Sequence, residues 1–148
     1  MSPRAAWRLE SLGFSQVFDY AAGEADWFAS GLPREGREAS VPRVADIVRR
    51  DVPTCRVDDR VGDVRDRVRA AGWDTCVVVN HEQVVLGRLR SQELAADAER
   101  RVEEAMEAGP TTVRPNVRLS ELAGRMGAED MSSFLVTTSD GRLVGLVD

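Results

Sequence analysis

The sequence predicts an α+β fold: one small strand–helix–strand–strand unit written twice in tandem, behind a helix–strand–helix segment. Three observations carry that prediction. Residues 54–90 align on residues 112–148 at a constant offset of 58 without a gap, so that Thr54, Arg56, Arg60, Arg67, Val78 and Gly87 fall on Thr112, Arg114, Arg118, Arg125, Val136 and Gly145. Apolar positions keep the same register: Val61, Val64 and Val68 meet Leu119, Leu122 and Met126, and Cys76-Val-Val78 meets Phe134-Leu-Val136. Within each copy the apolar spacing then changes from a helical period to a strand period.

In chain order, Ser2 suits an N-cap and Pro3 the first helical position of a helix through Ala5–Leu12, with Gly13 as its stop. Gln16–Tyr20 has strand composition, and Ala22–Ser30 reads as a second helix closed by Gly31-Leu-Pro33. Residues 34–40 are polar and unpatterned, as a linker is. The resulting division is an N-terminal segment over 1–36, a linker over 37–43, a first repeat over 44–98 and a second over 99–148.

In the first repeat, Val61, Val64 and Val68 share one face of a helix that ends near Gly72. Thr75–Val79 is a β-branched run without polar interruption, which predicts a strand buried on both faces. His81–Gln83 and Ser139-Asp-Gly141 are hairpin turns leading into return strands over Val84–Leu89 and Arg142–Val147. Ser91 is placed to cap a helix through Gln92–Ala98, with helical character continuing through Arg101–Met106. The second copy stops on its return strand at Asp148, without the closing helix. That open face, and the N-terminal segment with Trp7, Phe14, Trp27 and Phe28, are expected to cover each other or a second copy of the chain.

Composition narrows the function. The 148 residues are 43% hydrophobic, 30% charged and 5% aromatic, as in a globular chain with a modest core. The longest clear apolar run is Cys76–Val79, and Met1–Arg8 carries charge where a signal peptide needs an apolar stretch, so a cytoplasmic rather than a secreted or membrane-spanning protein is expected. A net charge of −5 disfavours nucleic acid as a partner. All 20 basic residues are arginine, which removes a P-loop lysine, Schiff-base chemistry and a lysine base, and suggests a GC-rich bacterial genome. Two cysteines, Cys55 and Cys76, and a single histidine, His81, form no CxxC, HExxH or comparable motif, so neither catalysis nor a metal is expected. Asp58, Asp59, Asp63 and Asp66 alternate with Arg60, Arg65, Arg67 and Arg69 as a solvated helix face does.

The repeated unit, on Pro53-Thr54 and Pro110-Thr111-Thr112 before the first strand and Gly87-Arg-Leu and Gly145-Leu-Val on the last, resembles the cystathionine-β-synthase (CBS) domain. The resemblance implies a β-α-β-β-α unit in tandem, the second copy lacking its last helix, with the two sheets packed together. It further implies clefts of a kind that bind AMP, ATP or S-adenosylmethionine, a noncatalytic regulatory or dimerising role, and no cofactor. Nucleotide-binding members carry Ser or Thr three residues after the strand glycine and Asp three further on. Here those positions hold Arg90 and Glu93, and in the second copy Asp148 and nothing. The implied ligand residues are therefore Thr54, Arg90, Glu93, Thr112 and Asp148, although Arg90 and Glu93 also read as solvated residues at a strand-to-helix turn. Trp73, opposite Met131, either packs a domain edge or stacks on a base, while Cys55 and Cys76, opposite Val113 and Phe134, read as buried small hydrophobes. His81, opposite Ser139, belongs to an exposed turn.

Residues Ala5–Phe14, Val17–Tyr20, Gly23–Trp27 and Gly31–Gly36 resemble the last part of a rhodanese-like domain. That family carries sulfur on a cysteine in a loop just ahead of the first of these helices, and no cysteine precedes Ser2. The whole then reads as a noncatalytic homodimer formed through the CBS repeats, acting through an unknown effector partner. The competing reading is a rhodanese–CBS sulfurtransferase whose cysteine loop lies upstream of Met1.

Overall fold

The computed structural model describes residues 3–129 and 131–148; the expected cap at Ser2 lies outside them. Helix α1 spans Pro3–Ser11 and helix α2 spans Gly23–Ala29. Between them Gln16–Tyr20 is not a strand, which corrects the helix–strand–helix expectation. Neither sheet takes this segment in, and a lone extended stretch has no ladder to hold it.

The first repeat runs α3 (Val44–Ile47), β1 (Thr54–Cys55), α4 (Val61–Ala70), β2 (Cys76–Val79), β3 (Val85–Leu89) and α5 (Ser91–Leu94). The second runs α6 (Val102–Ala105), β4 (Glu107–Ala108), β5 (Thr112–Val113), α7 (Leu119–Glu129), β6 (Phe134–Thr137) and β7 (Leu143–Val147). The helix expected through Gln92–Ala98 and on to Met106 is broken into α5 and α6. The interruption has a cause: the carbonyls of Ala98 and Arg100 accept from Gly62 and Val61 at 3.0 Å each, meeting the unpaired N–H groups that open α4. Helix α6 sits 58 residues after α3, so the repetition reaches back to Val44 and Val102.

Strands β2 and β6 are buried along their whole length. Cys76 and Val78 face the Val61, Val64 and Val68 side of α4, whereas Val77 and Val79 face Leu135 and Leu146 between the two sheets. On the far side, Phe134 and Val136 pack with Leu122 of α7. The period-2 alternation thus feeds two different cores from one strand.

Each repeat is completed by the leading segment of the other. Val102 and Glu103 donate to the carbonyls of Asp59 and Val57 at 3.0 Å, and β4 then adds to β3 with Gly87 opposite Ala108 and Arg88 opposite Glu107. In mirror fashion, Val44 and Ala45 donate to Val117 and Pro115 at 2.9 Å, while Arg49 and Leu146 exchange both backbone bonds, at 2.8 and 2.9 Å. This crossing explains the two strand glycines. A Cβ on Gly87 would meet the Met106 sulfur and stand 2.9 Å from the Glu107 carbonyl; one on Gly145 would strike the Arg49 carbonyl and stand 2.8 Å from Val48 Cγ2.

The N-terminal segment docks beside the second repeat. Ala25 and Phe28 are buried, Ala29 packs on the second core, and the Arg34 and Arg43 guanidiniums lie 5.1 and 5.7 Å from the Phe28 ring. Arg34 pairs with Asp46 at 2.7 Å, and Glu38 with Arg118 at 2.7 Å. Of the apolar side chains expected to find cover, Phe28 is buried, whereas Trp7 and Phe14, with Leu12 and Phe18 beside them, stay exposed.

Gly145→Ala is expected to lower stability by about 1–3 kcal/mol through overpacking against the crossing strand. Gly124→Ala, on α7 with open space around it, should raise it by about 0.5–1 kcal/mol. Denaturant midpoints of the two variants, measured side by side, check both signs.

Candidate functional site

Where the return strands meet the crossing strands, a cleft of about 880 Å³ opens. Its walls come in pairs related by the 58-residue offset: Asp74 and Ser132, Thr75 and Ser133, Arg88 and Leu146, Arg90 and Asp148, Arg49 and Glu107. The cleft therefore straddles the line that relates the two repeats. At nearly every pair the two side chains have diverged in charge or polarity, which makes the site lopsided.

Arg88 forms its floor. The side chain is 5% exposed, in a position whose twin, Leu146, is a buried leucine. Its Nε donates to Thr75 Oγ1 at 2.9 Å and a terminal nitrogen to Ser133 Oγ at 2.9 Å, and Thr75 in turn donates to the Leu89 carbonyl at 2.9 Å. Burial pushes the guanidinium pKa down, and Arg90 nearby adds to the effect. Among the described residues Arg88 makes no direct ion pair: its hydrogen bonds go to hydroxyls, and the carboxylates of Glu107, Asp74 and Glu93 act on it only at a distance.

The structure brings Arg90, Glu93 and Asp148 to this cleft, and leaves Thr54 and Thr112 off it. The threonines begin β1 and β5, where they pair with Val77 and Leu135. Glu93 Oε2 accepts from the Arg90 backbone N–H at 2.9 Å and so closes the first turn of α5. That puts the N-cap at Arg90 rather than at Ser91. Arg90 lies 3.6 Å from Glu107, and Asp148 lies 3.6 Å from Arg49, whose guanidinium covers the Trp73 ring at 3.8 Å. A smaller pocket of about 240 Å³ next to Trp73 is lined by Val68, Leu94 and Ala95.

Sequence reasoning missed Arg88, Thr75, Ser133 and Arg49. One signal was present: Arg88 interrupts the apolar run of a return strand at a position where the other copy has leucine. A charge kept in a strand core while its twin stays apolar marks a site. Thr75 and Ser133 are hydroxyls at the same place in both copies, but only their pairing across the cleft shows what they hold.

Cys55 and Cys76 are buried in the first core. The hydrogen bond between the two thiols, together with burial, pushes the Cys55 pKa well up, so its native form is the neutral thiol. A thiol whose folded pKa is raised contributes stability that is fully present below its unfolded value, about 8.5, and is lost as pH rises above that. Stability of the native chain should therefore fall as pH rises above about 8.5. Cys55→Val, which restores the residue found at the twin position 113, should flatten that fall in denaturation curves recorded across the range.

Residues 44–97 and 102–148 match the CBS-domain family. A comparison with curated proteins gave no match. Among solved structures, the cytosolic domain of the Mg²⁺ channel MgtE in complex with ATP superimposes with a TM-score of 0.67 at 26% identity, over 72% of this chain and 45% of that one. The chain thus spans less than half the length of the channel's domain. The CBS domain pair of protein MJ0100, in complex with 5′-methylthioadenosine and S-adenosyl-L-methionine, gives 0.64 at 19% identity over 72% of this chain and 89% of that one. CBS domains of a transcriptional regulator from Streptococcus pneumoniae give 0.65 at 24%, over 73% and 93%. These last two share the fold. No helix among the described residues is long and apolar enough to cross a membrane.

Proposed function

This chain belongs to the CBS-domain family, and we propose that it is a regulatory module that binds a small adenosyl ligand and performs no chemistry of its own. The observation that carries this reading is Arg88: a buried guanidinium whose direct hydrogen bonds go only to hydroxyls, with no carboxylate in contact, opens on a cleft and suits an anionic group. Replacing such a charge by a leucine would cost the fold nothing obvious, as Leu146 demonstrates in the twin position. A ligand phosphate or carboxylate would meet Arg88, and the carboxylate of Asp74 or Glu93 is of the type that accepts from ribose hydroxyls.

Charge narrows the ligand. Arg49, Arg88 and Arg90 face Asp74, Glu93, Glu107 and Asp148 around one cleft. Four carboxylates repel a triphosphate, so a monophosphate or a zwitterion such as S-adenosylmethionine suits the site better than ATP. Because Arg88 belongs to one repeat and Ser133 to the other, a bound anion favours one arrangement of the two, and the signal is a shift in population. In this reading the output passes to a partner, in the cytoplasm and through a homodimer of CBS repeats. For the N-terminal segment we keep the rhodanese-like reading on its sequence alone, since the strand it expects at Gln16–Tyr20 does not form.

AMP and S-adenosylmethionine should each raise the unfolding midpoint in a thermal-shift titration and release heat in calorimetry, with ATP weaker. Arg88→Leu should leave the unliganded midpoint unchanged or higher while weakening AMP at least tenfold. Absence of any response to all three compounds would reduce the module to a dimerisation scaffold.

A further inference from the structure

We propose that Trp73 is the platform for the ligand's planar ring, and that Arg49 is a gate which occupies that platform until the ligand displaces it. The proposal rests on the adenosyl-ligand reading and adds to it the residue that competes for the site. Trp73 borders the cleft and also packs against both the first core and the layer between the sheets, so its ring is held in one orientation. One face of that ring is covered by the Arg49 guanidinium at 3.8 Å. A flat aromatic ligand needs the same face.

Arg49 is built to leave without disturbing the fold. Its backbone N–H and carbonyl are fixed to Leu146, at 2.8 and 2.9 Å, so the main chain stays while the side chain moves. The side chain itself is 47% exposed, and its charged contacts are loose: 3.6 Å to Asp148 and 3.9 Å to Asp51. Loose, half-exposed ion pairs contribute little. Asp51, at 3.9 Å from Arg49 Nε, offers the displaced guanidinium a carboxylate.

Two consequences follow from the same geometry. A bare anion satisfies Arg88 but has nothing to stack, so it leaves Arg49 in place. The platform also occurs once, because the position equivalent to Trp73 is Met131; the ligand count is therefore one for each chain, although the fold is duplicated.

The test is a titration of the full chain with AMP, followed by tryptophan emission and calorimetry, with inorganic phosphate as the control. AMP is expected to change the emission with one site per chain, the change vanishing in Trp73→Phe, while phosphate leaves the emission unaltered. Arg49→Ala removes the competitor and should tighten AMP about two- to fivefold, the size of an exposed cation–π contact. If AMP binds but the emission does not move, or if Arg49→Ala leaves affinity equal or weaker, Arg49 is no gate and the ligand reading survives. If AMP, S-adenosylmethionine and 5′-methylthioadenosine all fail to release heat with either protein, the ligand reading falls and the gate with it.

Discussion

The close passage of one repeat's leading strand across the other repeat's return strand governs this molecule. At Gly145 the crossing backbone of Arg49 comes so near that no side chain fits, and Gly87 stands in the same relation to Met106 and Glu107. Neither repeat has a complete sheet edge of its own: β4 finishes the first, and the backbone of Arg49 bridges to the second. The unit of stability is therefore the pair. A leading helical turn such as α3 or α6, four residues long, has no independent stability. It exists because Val44 and Val102 are buried in the opposite repeat and because their neighbouring N–H groups find acceptors there.

That crossing also creates the cleft. Because return strand and crossing strand come from different repeats, their side chains line a space that belongs to neither alone. The core positions of the duplicated unit stay close to one another in character, as Val64 and Leu122 or Val78 and Val136 do. Around the cleft the copies have parted: arginine against leucine at 88 and 146, arginine against aspartate at 90 and 148, tryptophan against methionine at 73 and 131. Core packing constrains volume and polarity on both sides equally. A ligand that sits across the dividing line meets the two halves from different directions, so symmetry there serves no purpose.

The N-terminal segment is joined by a different kind of bond. Helix α2 brings Phe28 under two guanidiniums, and Arg34, Glu38, Arg43 and Arg118 form a polar strap toward the second repeat. This is a docking held partly by charge, with a small apolar centre, beside repeats built mainly on hydrophobic cores and strand ladders, their ion pairs half-exposed at the surface. It follows that this segment is more sensitive to salt than the repeats are.

Within the chain, strand and helix positions of the repeats were legible because local patterns decide them: Val61, Val64 and Val68 at helical spacing, an unbroken β-branched run at Thr75–Val79, and Asp140-Gly141 at a turn. The offset of 58 established the duplication by itself. What the pattern does not contain is which element completes which sheet. Residues 95–106 carry helical composition, yet their carbonyls serve the start of α4, and that demand breaks the helix. Gln16–Tyr20 carries strand composition, yet finds no edge. Arg88 stands out in sequence only as a charge set opposite the leucine of the other copy, and Arg49 looks like any other of the 20 arginines. One becomes the buried floor of a cleft and the other the cover of an aromatic ring only when strands distant along the chain cross, because burial and apposition are properties of the assembled pair and local periodicity does not record them.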